Sequence, residues 1–117
     1  MVREVAVSQI SDALAKLCVD ICYRMSPDMV AAVRRARDLE ESPMGREILD
    51  QLIANTEIAA EGEVPYCQDT GTTVVFVDVG QDVHLVGGDL EDAELSALRD
   101  AAEAVRAKCA DLSKLGG

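Results

Sequence analysis

Apolar positions in the first half of the chain recur at helical spacing, and the period then changes. After a short extended lead-in over residues 2–7, Ile10, Ala13, Leu14, Leu17, Cys18, Ile21 and Cys22 share one face of a helix that Ser8 can cap. Ser26-Pro27-Asp28 combines a capping hydroxyl, a proline at the first helical position and an acid in the first turn. It starts a second helix whose apolar side carries Met29, Val30, Val33 and Leu39. Ser42-Pro43 repeats the start signal, so the second helix is predicted to end near Glu41. The third presents Met44, Ile48, Leu52 and Ile53, runs to about Ala60 and stops at Glu61-Gly62-Glu63. Very short connections predict that the three pack antiparallel in a compact layer.

Pro65 bars any continuation of the third helix and pushes Val64 to extended geometry. The run 72–79, with Val74, Val75, Phe76, Val77 and Val79, reads as a buried strand. Gly80-Gln81-Asp82 reads as a tight turn and Val83-His84-Leu85-Val86 as a second strand, so the pair predicts a β-hairpin. A two-stranded hairpin needs cover, from the helices on one side and from further strands or a partner on the other. Gly87-Gly88-Asp89 leads into a long helix with Leu98, Ala101, Ala102, Val105, Cys109 and Leu112 on one face. The fold class is α+β: mostly helical, with three N-terminal helices, a short β-hairpin and a long C-terminal helix, in a single domain over residues 1–117.

Composition changes that picture in two ways. With one Phe, two Tyr and no Trp among 117 residues, the core must be built from Leu, Ile, Val, Ala and Met. The net charge of −11 is uneven: residues 1–40 balance six basic against six acidic side chains, whereas 41–117 carry five basic against sixteen acidic. Such a surface repels nucleic acid and anionic lipid. No run approaches the roughly 20 apolar residues of a membrane span, and the amino terminus lacks a signal-peptide pattern, so a cytoplasmic location is expected. Cys18, Cys22, Cys67 and Cys109 are then reduced thiols, with no CxxC pair and a single histidine, His84, to suggest zinc.

Candidate chemistry concentrates between the third helix and the apolar run. Val64-Pro65-Tyr66-Cys67-Gln68-Asp69-Thr70-Gly71 sets a thiol, an amide, a carboxylate and a hydroxyl in consecutive positions of a loop with fixed ends. The other reading is an ordinary connection whose cysteine packs as a small hydrophobe. Cys18 and Cys22, one helical turn apart, could share a metal, but they sit in an apolar stripe that favours packing, as does Cys109. His84, in alternating register on a short strand, reads as a half-exposed structural residue before a base or ligand. Arg34, Arg35 and Arg37 read as a solvated helix face.

The loop, together with Val75-Phe76-Val77, Gly80-Gln81-Asp82-Val83-His84, Gly87-Gly88-Asp89-Leu90 and Ser42-Pro43-Met44-Gly45-Arg46-Glu47-Ile48-Leu49, resembles the iron–sulfur-dependent (class I) fumarase family. The likeness is to the amino-terminal part of the α subunit, a part shared with L-tartrate dehydratase; it is strongest over 42–90 and weak after 90. It implies an iron–sulfur hydro-lyase catalysing reversible hydration of a dicarboxylate, of the fumarate-to-malate type. It further implies a 4Fe–4S cluster held by three cysteines, of which Cys67 matches the first. Gln68 and Asp69 would then reach the substrate, with Asp69 as the candidate acid/base.

Two departures bear on activity. The family's other two cluster cysteines lie beyond this chain, and Leu98-Arg99-Asp100-Ala101-Ala102-Glu103 matches the family's arginine-rich helix poorly. A dicarboxylate needs cationic clamps, yet no Lys or Arg occurs between Glu47 and Asp89. The chain is therefore expected to be inactive alone and to work as a homo-oligomer or with a β subunit that supplies further site residues. The alternative is a non-catalytic, truncated or degenerate module used for assembly or partner binding. A redox role for Cys67 is weaker, since no basic neighbour in the sequence lowers its pKa.

Overall fold

The computed structural model describes residues 1–66 and 72–113. In chain order, β1 spans Arg3–Ala6, α1 Val7–Tyr23, α2 Pro27–Leu39, α3 Pro43–Gly62, β2 Val83–Val86 and α4 Leu90–Ser113. The α+β class holds, with three helices between the strands and a long helix after them. Among the described residues, no helix is long and apolar enough to cross a membrane.

The predicted β-hairpin is corrected. β2 pairs in parallel with β1, from Arg3 opposite Val83 to Ala6 opposite Val86, while residues 72–80 carry no strand. The tight turn is present, with the Val83 N–H donating to the Gly80 carbonyl at 3.1 Å, but the residues before it do not run back along β2. Parallel pairing brings together two strand-then-helix units, β1–α1 and β2–α4, so that two long helices can share one apolar seam. A hairpin made of 72–79 and β2 would leave α1 and α4 unpaired.

Helices α1 and α4 run in the same direction. Near their starts the Ser11 hydroxyl donates to the Ala93 carbonyl at 3.0 Å. Near their ends, Arg24 and Lys108 both reach the Glu63 carboxylate, at 3.7 and 4.0 Å. Ala93, Ala97, Ala101 and Ala104 follow each other at spacings of three or four along α4 and form a stripe of small side chains. Ala97 and Ala101 are buried, and Ala15 and Val19 of α1 line the same seam as Ala101 and Ala104. Small side chains let two helix backbones approach closely. β1 runs straight into α1, which therefore starts at Val7 with Ala6 in the cap position and no side-chain cap; Ser8, the expected cap, lies inside the helix.

Helices α2 and α3 form an antiparallel hairpin, and both start where predicted, although Ser26 makes no side-chain cap. Pro27 and Pro43 open them, and the Ser42 hydroxyl accepts from the Gly45 N–H at 3.3 Å. The Arg37 guanidinium forks onto Asp50 at 2.8 and 3.2 Å, and Arg34 reaches Glu57 at 3.0 Å. These pairs lie on an exposed face and contribute little to stability. The expected layer of three helices is not built, because α1 spends its apolar seam on α4. The α2–α3 hairpin meets α1 chiefly where α3 ends.

The result is an open molecule. Its radius of gyration is 18.5 Å, where about 13 Å is usual for this length. Among the described residues the buried apolar side chains are Val7, Leu14, Tyr23, Ala59, Ala97 and Ala101, and no large side chain is fully enclosed. Leu17, Ile21, Met44, Ile48, Ile58 and Phe76 are exposed.

Between β2 and α4 the chain turns through Gly87 at φ +87° and Gly88 at φ +150°. A Cβ on Gly88 would stand 3.2 Å from Val7 Cγ2, whereas one on Gly87 would meet open space. Gly87→Ala should cost only the backbone strain, roughly 1–3 kcal/mol, and Gly88→Ala more than Gly87→Ala. Urea unfolding of the two variants measures the difference. Equal costs would mean that the contact with Val7 does not hold this turn against α1.

Candidate functional site

The polar loop starts from a firmly tied junction. α3 ends at Gly62, and Glu63 takes the left-handed conformation at φ 49°. The Val64 N–H donates to the Ala59 carbonyl at 3.1 Å, closing the helix end. Two residues on, the Tyr66 N–H donates to the Cys22 carbonyl at 3.0 Å, which satisfies one of the carbonyls left open in the last turn of α1. The start of the loop is thus pinned to α1 and α3 together. The Glu63 carboxylate, between Arg24 and Lys108, ties in α4.

Cys67, Gln68 and Asp69, the residues read from the sequence as ligand, substrate contact and acid/base, lie outside the described residues, as do Thr70 and Gly71. The chain resumes at Thr72 and passes Val75, Phe76 and Val77 along a shallow apolar groove formed with Val5, Ile10, Leu14 and Leu17. The segment 72–79 makes no backbone hydrogen bond to the described residues.

The same junction gathers the other thiols. Cys18 and Cys22 lie one turn apart on α1, and Cys109 lies near the end of α4. Burial pushes the Cys22 thiol up in pKa, and the nearness of Cys18 and Cys109 pushes it further. Cys18 is raised by burial as well. Tyr23 is raised for the same first reason, with Cys109, Cys22 and Glu63 adding to it. A metal ligand needs a thiolate, and these surroundings favour the thiol. Among the described residues no group of three His, Cys, Asp or Glu side chains is placed to hold a metal ion. Cys18 and Cys22, half-buried, therefore do not fit an iron–sulfur cluster, whereas Cys109 is exposed, contrary to the packing position expected of it. His84 is exposed on β2 beside Glu4 of β1, more open than the half-exposed position expected of it.

Sequence reasoning missed the cations of this junction. Arg24 and Lys108 lie far from the loop in the chain, and no local spacing announces them. The fold sets both at its start, half-exposed and shared with Glu63. The sequence carries no Lys or Arg from 48 to 98, yet the fold brings two cations to Glu63, just before the loop, where Glu63 and Asp20, the latter 2.9 Å from Arg24, balance them.

Comparison with known proteins gives a consistent picture. The family described as fumarate hydratase (Fumerase) matches residues 11–110. The L(+)-tartrate dehydratase subunit alpha of Escherichia coli K12 is 33% identical over 85 residues, which is 73% of this chain and 28% of that protein. The subunit of the same description from Shigella sonnei gives the same figures, 33% over 85 residues, 73% and 28%. A Methanocaldococcus jannaschii relative is 33% identical over 76 residues, covering 65% of this chain and 27% of its own length. The chain thus spans little more than a quarter of these curated relatives. No solved structure gives a significant match.

Proposed function

The chain belongs to the fumarate hydratase (Fumerase) family, and on that premise we propose that it is the amino-terminal module of the α subunit of a hydro-lyase. Its reaction adds water to, or removes it from, a small dicarboxylate of the fumarate–malate or tartrate kind. The observation that carries this reading is the family match across residues 11–110, which includes the whole polar loop.

In this reading Cys67 contributes one thiolate to a 4Fe–4S cluster, which supplies Lewis acidity toward the substrate's oxygens when bound. Gln68 donates its amide N–H to a substrate carboxylate, and Asp69 accepts or returns the proton at the carbon that gains or loses it. Arg24 and Lys108 hold Glu63 at the start of the loop, where Glu63 and Asp20 balance their charge. The described cysteines do not complete the cluster's ligand set, so no step is assigned to the cluster within this chain. The remaining ligands and substrate clamps come from further sequence or from a partner subunit, and the 117 residues alone are inactive. A cytoplasmic location belongs to the same reading.

The test is iron and acid-labile sulfide per chain after anaerobic reconstitution. Iron uptake should disappear in Cys67→Ser and persist in Cys18→Ser, Cys22→Ser and Cys109→Ser, with no fumarate hydration in any of them. Uptake that ignores Cys67, or that follows Cys22 instead, would sink the ligand assignment. Absence of iron from every variant would favour a second reading, a non-catalytic assembly module, which the large exposed apolar surface supports.

A further inference from the structure

Helix α3 closes on Glu63 and not on the glycine before it. Gly62 could take the left-handed conformation that ends a helix, yet Glu63 adopts it, at φ 49° and ψ 48°. A side chain is strained there and a glycine is not. Such strain persists where the surrounding structure over-determines it, and it collects at functional sites.

The residue is tied through both its backbone and its side chain. Its N–H and that of Val64 both donate to the carbonyl of Ala59, a residue only 1% exposed. Its carboxylate oxygens face different helices. Oε1 lies 3.7 Å from Arg24 Nη2 at the end of α1, and Oε2 lies 4.0 Å from Lys108 Nζ on α4. Arg24 is itself steadied by Asp20, one turn back, at 2.9 Å. Further on, the Tyr66 N–H donates to the Cys22 carbonyl at 3.0 Å. Both ends of the segment 63–66 are thus fastened to the end of α1, and Pro65, with its fixed φ, leaves little slack between them. A glycine at position 63 would supply the turn without the carboxylate. The ion pairs are exposed, so they add little to global stability and their effect is local.

We propose that Glu63 is a positioning residue for the polar loop. It braces the segment 63–66 against the ends of α1 and α4 and so sets the point from which Cys67, the next residue, departs. The role is indirect and runs through Tyr66. Its purpose rests on the reading of Cys67 as a functional thiol, whereas the mechanical link from Glu63 to Tyr66 does not.

Two readouts on the full chain test it: hydrogen exchange of the Tyr66 amide, and the rate at which iodoacetamide alkylates Cys67, followed by peptide mass spectrometry. The Glu40 amide, bonded to the Ala36 carbonyl at the end of α2, serves as control. Glu63→Gln keeps the backbone and removes the charge. It should speed exchange at Tyr66 about three- to tenfold, the effect of two exposed pairs on a local opening, and leave the Glu40 amide unchanged. The alkylation rate of Cys67 should move by a similar factor toward that of the chain unfolded in urea. Raising salt from about 0.05 M to about 1 M should loosen Tyr66 in the wild type and have little effect in Glu63→Gln. Glu63→Gly should also free Tyr66 without lowering the thermal midpoint, since glycine relieves the strain. Unchanged Tyr66 exchange in Glu63→Gln would overturn the proposal. So would a Glu63→Gly variant whose midpoint falls while all amides loosen together, which would make Glu63 a plain structural cap. Tyr66 freed with Cys67 unaltered would overturn it too, because the brace would stop short of the loop. Neither readout needs iron, so a wild type that takes up none through Cys67 counts against the ligand assignment alone.

Discussion

Ala97→Leu should lower the thermal midpoint by about 10 °C. Ala97 is the most enclosed residue described, with no exposed surface, and it lies in the alanine stripe by which α4 meets α1. Overpacking a well-filled contact costs typically about 1–3 kcal/mol, and a domain of this size loses roughly 4 °C per kcal/mol. The effect should fall at the upper end here, because a larger side chain has only two responses open to it. It can push the parallel helices apart along their length, or it can unpair β1 from β2, which are joined to the same two helices. Ala97→Gly crowds nothing and should cost about 1 kcal/mol in propensity and roughly a further 1 kcal/mol for the lost buried methyl. Thermal unfolding followed by circular dichroism separates the two variants. A leucine variant as stable as the wild type would show that α1 and α4 do not depend on close approach.

Tyr23→Ala should be more damaging still. Tyr23 is the largest buried side chain described, 7% exposed at the end of α1, where α1, α3 and α4 converge. Removing a buried aromatic ring costs about 3–5 kcal/mol, much of the net stability expected of a chain with so few enclosed side chains. Tyr23→Phe keeps the ring and should cost little in neutral solution, and it has a second use. Burial raises the pKa of the Tyr23 phenol and of the Cys18 and Cys22 thiols, so each is more readily ionised in the unfolded chain. A raised folded pKa gives a contribution that is complete below the unfolded pKa and lost as pH rises through the folded one. Stability should therefore begin to fall near the ordinary thiol pKa, about 8.5, and fall further beyond the ordinary phenol value, about 10. Urea midpoints above about pH 10 should decline less steeply for Tyr23→Phe than for the wild type, with the two alike below it. The same slope in both would remove Tyr23 from the alkaline transition.

The parts of the fold that were legible in the sequence are those written in local chemistry. Ser26-Pro27 and Ser42-Pro43 announce helices because a fixed φ, joined at Ser42 by a capping hydroxyl, acts within one turn, and both helices open at those prolines. The sheet was not legible in the same way. Gly80-Gln81-Asp82 does form its turn, and nearest-neighbour reasoning then assigns 72–79 to β2, whereas the partner that wins is Arg3–Ala6. The preference comes from the helices attached to each strand, a long-range effect that alternation within a strand cannot carry. Ser8 failed as a cap for a related reason: β1 feeds α1 without a break, so the cap position falls on Ala6. The polar loop was visible as a run of functional groups and as a resemblance. The cations at its start were not, because Arg24 and Lys108 reach it only after α1 and α4 have aligned.

The pairing of Arg3 with Val83 joins residues about 80 positions apart. For a chain emerging from a ribosome, that separation is a waiting time. At roughly 5–20 residues per second, β1 has no sheet partner for roughly 4–16 s, and α1 waits longer for the alanine stripe of α4. The α2–α3 hairpin, with its close-range contacts, can form in the meantime. Until Ala104 has been synthesised, the apolar seam of α1 lacks its α4 partner. That interval is when the nascent chain is most open to chaperone binding and to mispairing with the nascent chains of its neighbours.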